Sequence, residues 1–277
     1  MAYRRILTIQ DISCVGQCSM TVAMPILCAC GHETCILPTS LLSTHTGGFG
    51  KPEFIHLDNG LDGFWQHWKA QGITFDAILV GYLGSVAAVK MVQRLLHELL
   101  SPDGISIVDP AMADHGRIYS GFDEAYANAM MALCQQADVI LPNITEAAMM
   151  ASLPYRASPD KDYIHALLKR LNHKCVILTG TAFREGETGI AMKEAGQISY
   201  YFHPRLEGSY HGTGDMFAAA FTGALMQGKT KLESVKIAAD FVCKAIENTQ
   251  KHPAHWYGVK FETALPYLFE RLQDNVE

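Results

Sequence analysis

The sequence predicts an α/β protein with a central, mostly parallel sheet flanked by helices on both faces. Short β-rich runs alternate with longer helical patterns along the chain, which is the order of a doubly wound sheet. Four of these runs are continuous and apolar instead of alternating, as strands buried on both faces of a parallel sheet require. They are AILVGY (77–82), ISIVDP (105–110), VILPN (139–143) and CVILTG (175–180).

The other elements follow from periodicity and turn residues. We predict strands at 4–10, 33–39, 75–85, 105–116 (running into a loop), early in 137–150 and at 174–181, with a β-hairpin over 186–204. We predict helices at 18–30, 61–72, 85–100, 123–136, late in 137–150, at 162–171, twice within 214–249 and at 261–272, and a polar loop at 40–53. In the 61–72 helix, Phe64, Trp65 and Trp68 are expected on one packing face.

The composition limits which kinds of protein this chain can be. Of the 277 residues, 49% are apolar and 18% charged, which is typical of a globular chain, and no composition shift marks a linker. We therefore expect a single domain over residues 1–277. The net charge of −6 argues against nucleic acid as a partner. Neither a signal peptide nor a membrane span is indicated, and the eight cysteines form no CxxC pair, so we expect a cytoplasmic protein with reduced thiols.

Polar side chains follow the predicted strands at the points where they end. These residues are Asp11, Tyr82, Asp109, Asn143 with Glu146, and Thr179. Ligands of open α/β sheets bind beyond the carboxyl ends of the strands. The sequence therefore predicts a binding site at this edge of the sheet. Taken singly, Asp109 before Pro110 also fits a turn residue, and Glu146 also fits a first-turn helix acid.

The stretch GSYHGTGDMFAAAF (208–221) places a carboxylate where a glycine-rich loop enters an apolar helix. Backbone amides and the helix dipole at such a junction attract an anion. Asp215 could therefore accept a proton from a substrate hydroxyl beside a phosphoryl group. Taken alone, the tetrapeptide 212–215 fits a helix cap better than an active site. His211 is expected to be an ordinary loop residue.

Several motifs occur together and in order: ILTIQ, STHTG, GYLGS, VDPAMAD, LPNITEA, ILTGT and HGTGDMFAAAF. In this order and spacing the chain resembles the pyridoxal/pyridoxamine kinase branch of the ribokinase-like superfamily of small-molecule kinases. The resemblance extends over residues 6–221. It implies a ribokinase-like fold and ATP-dependent phosphorylation of the 5′-hydroxymethyl group of a vitamin B6 substrate.

The resemblance implies roles for individual residues. Asp215 would be the base, and the amides of Gly212, Thr213 and Gly214 would hold the charge that develops on the transferred phosphate. Substrate-binding residues would be Asp11, Thr44, His45 and Tyr82. ATP would be bound by Asn143, Thr179, Gly180 and Thr213, and Mg²⁺ by Asp109, Asp114 and Glu146. Residues 205–210 would form a flap near the phosphates.

Two features leave the assignment open. Asp11 stands where many pyridoxal kinases have a serine, so its effect on the choice among pyridoxal, pyridoxamine and pyridoxine is undetermined. Residues 111, 113 and 141 also depart from the common pattern around the metal. Hydroxymethylpyrimidine kinase is the alternative enzyme, and a non-catalytic small-molecule sensor on the same fold is the alternative of another class. The resemblance further implies a homodimer and leaves a monovalent-cation requirement open.

Overall fold

The computed structural model describes residues 2–57, 60–208 and 210–273, and within them the chain forms eleven strands and nine α-helices. The strands are β1 (Arg5–Ser13), β2 (Glu33–Leu42), β3 (Phe54–His56), β4 (Phe75–Val80), β5 (Leu100–Val108), β6 (Ala113–Asp114), β7 (Arg117–Ile118), β8 (Val139–Ile140), β9 (Cys175–Thr181), β10 (Glu187–Glu194) and β11 (Gln197–Pro204). The helices are α1 (Met20–Ala29), α2 (Leu61–Ala70), α3 (Val86–Leu99), α4 (Glu124–Cys134), α5 (Ile144–Met150), α6 (Lys161–Arg170), α7 (Thr213–Met226), α8 (Lys231–Gln250) and α9 (Leu265–Gln273).

Nine of the strands form one sheet in the order β11-β10-β9-β8-β5-β4-β1-β2-β3. The six strands from β9 to β2 in this order pair in parallel, whereas β3 and the β10–β11 hairpin add antiparallel pairs at the two ends. The short strands β6 and β7 make a separate antiparallel pair. The predicted α/β fold with a mostly parallel central sheet is confirmed.

Two helical layers cover the sheet, and each has its own apolar core. Side chains of α2 to α6 pack with one face of the sheet, and side chains of α1, α7, α8 and α9 pack with the other. Ile6 and Leu7 show the division, since these neighbours on β1 are both fully buried but belong to opposite cores. Helices on both faces explain why the central strands read as continuous apolar runs.

Side-chain caps fix several helix starts. Ser85, Asp123 and Asp160 each accept a hydrogen bond from the backbone amide three residues on, at the start of α3, α4 and α6. Asn143 and Glu146 form a reciprocal capping box at α5. By fixing where these helices begin, the caps also fix where the preceding loops end.

Four details differ from the sequence prediction. The predicted loop at 40–53 is too long, because β2 continues to Leu42 and β3 follows at Phe54–His56. Strand β4 ends at Val80, not at residue 85, and the β6–β7 pair was not predicted. On α2, Trp65 is buried and Trp68 packs against the core, but Phe64 is 57% exposed, so the expected shared face is wrong for Phe64.

Two further sequence expectations concern membranes and thiols. No helix in the described ranges combines the length and the apolar character needed to cross a membrane. All eight cysteines are free thiols; Cys14 and Cys28 are exposed, whereas four of the others are buried.

Candidate active site

The start of α7 combines a left-handed glycine, free backbone amides and a carboxylate. Gly212 is the N-cap at φ 79°, and α7 begins at Thr213. A Cβ at Gly212 would lie 2.3 Å from the carbonyl oxygen of Gln17, so this close approach requires glycine. The first-turn amides of a helix have no acceptor within the helix. The loop and the dipole of α7 therefore form an anion-binding site.

Asp215 is the third residue of α7, and it does not cap the helix. The helix start has no side-chain cap, and the Asp215 Oδ2 instead accepts a hydrogen bond of 2.8 Å from the backbone amide of Ser19. Ser19 lies in the loop after β1 and has φ 51°, as Gln17 does. This strained loop places the Ser19 amide against the start of α7. Asp215 therefore does not act as a helix cap.

Asp109 and Glu146 form an acidic pair in which Glu146 is buried and Asp109 is half-buried. Glu146 is 1% exposed, and its Oε1 accepts from the amide of Met112 at 2.9 Å while its Oε2 accepts from the amide of Asn143 at 2.9 Å. Asp109 accepts through Oδ1 from the amide of Ala111 at 3.2 Å. A Cβ at Gly214 would lie 3.6 Å from the Asp109 Oδ2, so this second oxygen faces the start of α7.

Asp114 is placed differently from this pair. It belongs to β6, its side chain is 49% exposed, and its Oδ1 accepts from the amide of His115 at 2.7 Å. Within residues 2–57, 60–208 and 210–273, no three Asp, Glu, His or Cys side chains form a metal-binding group. The residues that we expected to bind Mg²⁺ thus comprise the Asp109–Glu146 pair and one more exposed carboxylate.

A cleft of about 910 Å³ opens beside α7. Asn143, Thr179, Gly180 and Thr213 all line it, as does Asp114. The Asn143 side chain is held in place, since its Nδ2 donates to the carbonyl oxygen of Ala113 at 2.7 Å. The structure brings the four predicted ATP-binding residues to one cavity whose size suits a nucleotide.

The lining of this cleft also includes apolar and charged side chains. Val242 and Ile246 of α8 contribute apolar side chains, and Arg184 and Arg205 contribute guanidinium groups. The amide of Arg205 donates to the carbonyl oxygen of Gly186 at 2.8 Å, which joins the two loops. In the predicted flap 205–210, the lining residues are Arg205, Leu206, Gly208 and Tyr210, and residue 209 lies outside the described part of the chain.

The predicted substrate residues lie on the β1 and β4 side of Asp215. Asp11 is 3% exposed near the end of β1, and its Oδ2 accepts from the Ser13 hydroxyl at 2.9 Å. Tyr82 follows β4 and stacks on Phe122 at a ring distance of 5.1 Å. Burial raises the pKa of Tyr82 to about 12, and the charge of Asp11 adds to this rise. The two side chains are therefore electrostatic neighbours.

Thr44 and His45 lie in the loop between β2 and β3. The His45 Nδ1 accepts from the amide of Gly47 at 3.0 Å, and its ring lies 4.6 Å from the ring of His211. Burial lowers the pKa of His45, and His211 contributes to this effect. The same loop packs through Phe49 on Trp256, with ring centres 4.6 Å apart. The 43–53 loop thus lies against both the start of α7 and the segment after α8.

The electrostatics of the site are set by carboxylates. Burial raises the pKa of Asp215 to about 7; the Ser19 amide opposes the rise, and the charges of Asp109 and Asp11 add to it. Burial also raises the pKa of Asp109, with Glu146 as the second cause, and burial is the main cause of the raised pKa of Glu146. A general base with a pKa near 7 suits proton transfer at neutral pH.

Sequence reasoning missed three contributors to this geometry. Ser19 and Ser13 hold the carboxylates of Asp215 and Asp11, and His211 packs on His45 instead of being an ordinary loop residue. For His211, its position next to Gly212 was an available signal. For the serines there was none, because their partners are set by tertiary contacts.

The chain matches a known family over most of its length. Residues 67–259 match the model of the phosphomethylpyrimidine kinase family. A curated pyridoxine/pyridoxal/pyridoxamine kinase from Bordetella avium is 28% identical over 264 residues, which cover 88% of this chain and 85% of that protein. A hydroxymethylpyrimidine/phosphomethylpyrimidine kinase from Bacillus subtilis is 27% identical over 184 residues, covering 65% and 66%.

A solved structure extends the similarity to the whole fold. The crystal structure of pyridoxal kinase from Lactobacillus plantarum has a TM-score of 0.88 to this chain and 36% sequence identity. The superposition covers 96% of this chain and 97% of the other. It therefore includes the sheet, both helical layers and the start of α7.

Proposed function

The chain belongs to the phosphomethylpyrimidine kinase family, and we propose that it phosphorylates the 5′-hydroxymethyl group of a B6 vitamer with ATP. The observation that carries this function is the position of Asp215. Its carboxylate lies at an anion-binding helix start whose first residue, Thr213, lines the 910 Å³ cleft, and the charge of Asp11 acts on both Asp215 and Tyr82. A base between a nucleotide site and a substrate pocket is the arrangement that phosphoryl transfer to an alcohol requires.

In this reaction Asp215 accepts the proton of the substrate hydroxyl, whose oxygen then attacks the terminal phosphoryl group in line. The amides of Gly212, Thr213 and Gly214 at the start of α7 stabilise the charge on that group, because preorganised donors need no reorientation during transfer. Tyr82, Thr44 and His45 line the ring pocket. The raised pKa of Asp215 gives the base a proton affinity suited to neutral pH.

Asp109 and Glu146 fit a Mg²⁺ ion. The charge of Glu146 raises the pKa of Asp109, that of Asp114 raises the pKa of Glu146, and such a cluster of carboxylates favours a cation. Two carboxylates with water and phosphate oxygens make a normal Mg²⁺ shell. Both Glu146 oxygens already accept backbone amides, so Asp109 Oδ2 is the better direct ligand and Glu146 the better partner for bound water. When bound, the ion would screen the phosphate charges. Asp114 would act from the rim of the cleft.

The nucleotide occupies the 910 Å³ cleft. Thr213 begins α7 and lines the cleft together with Asn143, Thr179 and Gly180, so these residues would bind the phosphates. The apolar side chains of Val242 and Ile246 on α8 would pack against the base. The terminal phosphate would then lie at the start of α7.

Hydroxymethylpyrimidine kinase is the second candidate, favoured by the similarity to the Bacillus subtilis enzyme over 65% of the chain. The vitamin B6 kinases match more of the chain, 88% for the Bordetella protein and 96% for the Lactobacillus structure. A silent sensor would not need Asp215 as a base. These comparisons favour a B6 vitamer as substrate.

An ADP-release assay tests the proposal. Pyridoxal, pyridoxamine, pyridoxine and hydroxymethylpyrimidine are compared at saturating Mg·ATP with K⁺ or Na⁺, and the product is identified by mass spectrometry. We expect a 5′-phosphate product from at least one B6 vitamer, and none from the Asp215→Asn variant. Turnover of hydroxymethylpyrimidine alone would establish the second candidate. Tight binding of a vitamer without turnover would establish a sensor.

The whole chain is proposed to act as one kinase domain, to assemble as a homodimer and to work in the cytoplasm. Light scattering at assay concentration tests the assembly. A particle of twice the chain mass of 30.5 kDa is expected. A particle of one chain mass with full activity would contradict the dimer.

A further inference from the structure

Asp11 lies at an irregularity in the sheet. The parallel register of β1 with β2 shifts between Gln10 and Ile12, so that Asp11 faces two residues of β2 instead of one. The extra residue belongs to β2, and such bulges are frequent beside active sites. The Ser13 hydroxyl, at 2.9 Å, holds one oxygen of the Asp11 carboxylate. The carboxylate is thus fixed in place.

Asp11 is also coupled to the catalytic end of the site. Its negative charge contributes to the raised pKa of both Tyr82 and Asp215. Ser19 affects both carboxylates. Its amide donates a hydrogen bond to Asp215, and its side chain lowers the pKa of Asp11. Asp11 therefore lies within electrostatic reach of the position of the reacting substrate.

The charge balance of the site is incomplete. Asp11, Asp109, Glu146 and Asp215 have no Lys, Arg or His among the hydrogen-bond and ion-pair partners seen in the described residues. A buried carboxylate without a compensating charge is costly. Mg²⁺ suits Asp109 and Glu146, and Asp215 exchanges a proton with the substrate hydroxyl. Asp11 alone has neither a metal nor a reaction step to balance its charge.

We propose that Asp11 is a specificity-determining residue whose carboxylate binds positive charge on the substrate, so that cationic ring alcohols are preferred over neutral ones. The inference rests on the proposed function. Two groups of a B6 vitamer can supply the charge. One is the ammonium group of pyridoxamine, which pyridoxine lacks, and the other is a protonated ring nitrogen, which all the vitamers share.

The test compares kcat/KM for pyridoxamine and pyridoxine in wild type, Asp11→Asn and Asp11→Ser. Asparagine keeps an oxygen for the Ser13 hydroxyl and removes only the charge. The matched control is Asp103→Asn, which removes one charge from an exposed site outside the cleft. A competitive inhibitor adds a second comparison, namely the benzene analogue of pyridoxine with CH in place of the ring nitrogen. Unchanged KM for ATP and a Tm no lower than that of wild type establish that the variants are folded.

If Asp11 binds the ammonium group, Asp11→Asn lowers kcat/KM for pyridoxamine by roughly tenfold to a hundredfold and leaves pyridoxine nearly unchanged. If it binds the ring nitrogen, both substrates lose activity by that factor. In that case the affinity of wild type for pyridoxine exceeds its affinity for the benzene analogue by a similar factor, and this difference disappears in Asp11→Asn. Both results support the proposal.

Unchanged substrate ratios together with an unchanged preference against the benzene analogue would overturn it, whether or not overall activity falls. A failure of the proposed function looks different, because wild type itself would then turn over no B6 vitamer. Asp103→Asn is expected to match wild type in every comparison.

Discussion

Replacing Asp215 by asparagine should lower kcat by orders of magnitude and at the same time stabilise the protein. The ordinary Asp pKa is 3.8, and burial raises that of Asp215 to about 7. A folded-state pKa above the unfolded value means that the unfolded chain binds fewer protons between these pH values. Folding stability is therefore lost as the pH rises through this window. Asparagine does not ionise, so the variant escapes the loss.

The magnitude follows from the two pKa values. A rise of about three pH units at about 1.36 kcal/mol each corresponds to about 4 kcal/mol at pH 8. Asp215 is only partly buried, and solvent screening reduces this figure. We expect the variant to be more stable by about 2–4 kcal/mol at pH 8, with a difference that shrinks toward zero near pH 4.

Urea unfolding without Mg²⁺ at several pH values measures the stability difference, and steady-state kinetics measures kcat. Loss of a general base should lower kcat by roughly 10²- to 10⁴-fold. Asp138 gives a control of opposite sign. Burial favours its neutral form, but hydrogen bonds from Lys174 and Ser106 outweigh this and lower its pKa, so Asp138→Asn should destabilise the fold at neutral pH.

The reasoning would be refuted if Asp215→Asn were no more stable than wild type at pH 8. It would equally fail if the variant kept a near-normal kcat. The first result would mean that ionised Asp215 is well solvated, and the second that proton removal does not depend on it.

Three other substitutions probe the metal, the anion site and the core. Asp109→Asn should raise the Mg²⁺ concentration for half-maximal activity by roughly tenfold or more, and an unchanged Mg²⁺ titration would exclude it as a ligand. In Gly212→Ala the new Cβ would lie 2.3 Å from a carbonyl oxygen, at a residue with a left-handed backbone, so kcat should fall at least about tenfold. The control is Gly228→Ala, where the backbone is also left-handed but the Cβ would point into open space, and this variant should keep a normal kcat. Gly223→Ala would approach the Cys30 Sγ to 2.4 Å, and thermal unfolding should show about 1–3 kcal/mol of destabilisation with kcat/KM unchanged, whereas a raised Tm would show that the α1–α7 contact relaxes.

Much of the fold could be predicted because its signals are local. The apolar runs in β4 and β9 predicted buried parallel strands. The β10–β11 turn at Ala195 and Gly196 has the left-handed backbone that is typical of a tight hairpin. Strand β3 could not be predicted, since three residues carry too little pattern and its existence depends on pairing with β2. The exposure of Phe64 could not be predicted either, because helical periodicity alone did not show which side of α2 packs against the core.

The candidate site divides in the same way. Asp109 and Asn143 were predictable from their positions after buried strands, and Thr179 from its position near the end of β9, because parallel topology brings these strand ends to one edge. The contact from Ser19 to Asp215 was not, because it depends on a strained loop that crosses from β1 to α7. The missing countercharge of Asp11 is likewise a property of the packed molecule, since it depends on every group around the carboxylate.

The contact of Phe49 with Trp256 has an optical consequence. The chain has three tryptophans, and Trp65 and Trp68 lie on α2, one buried and the other packed against the core. Trp256 is 61% exposed, and a Cβ at Gly48 would lie 2.9 Å from its ring. Any displacement of the 43–53 loop changes the surroundings of this indole alone. Its emission would therefore report the position of that loop, with the α2 indoles supplying a constant background.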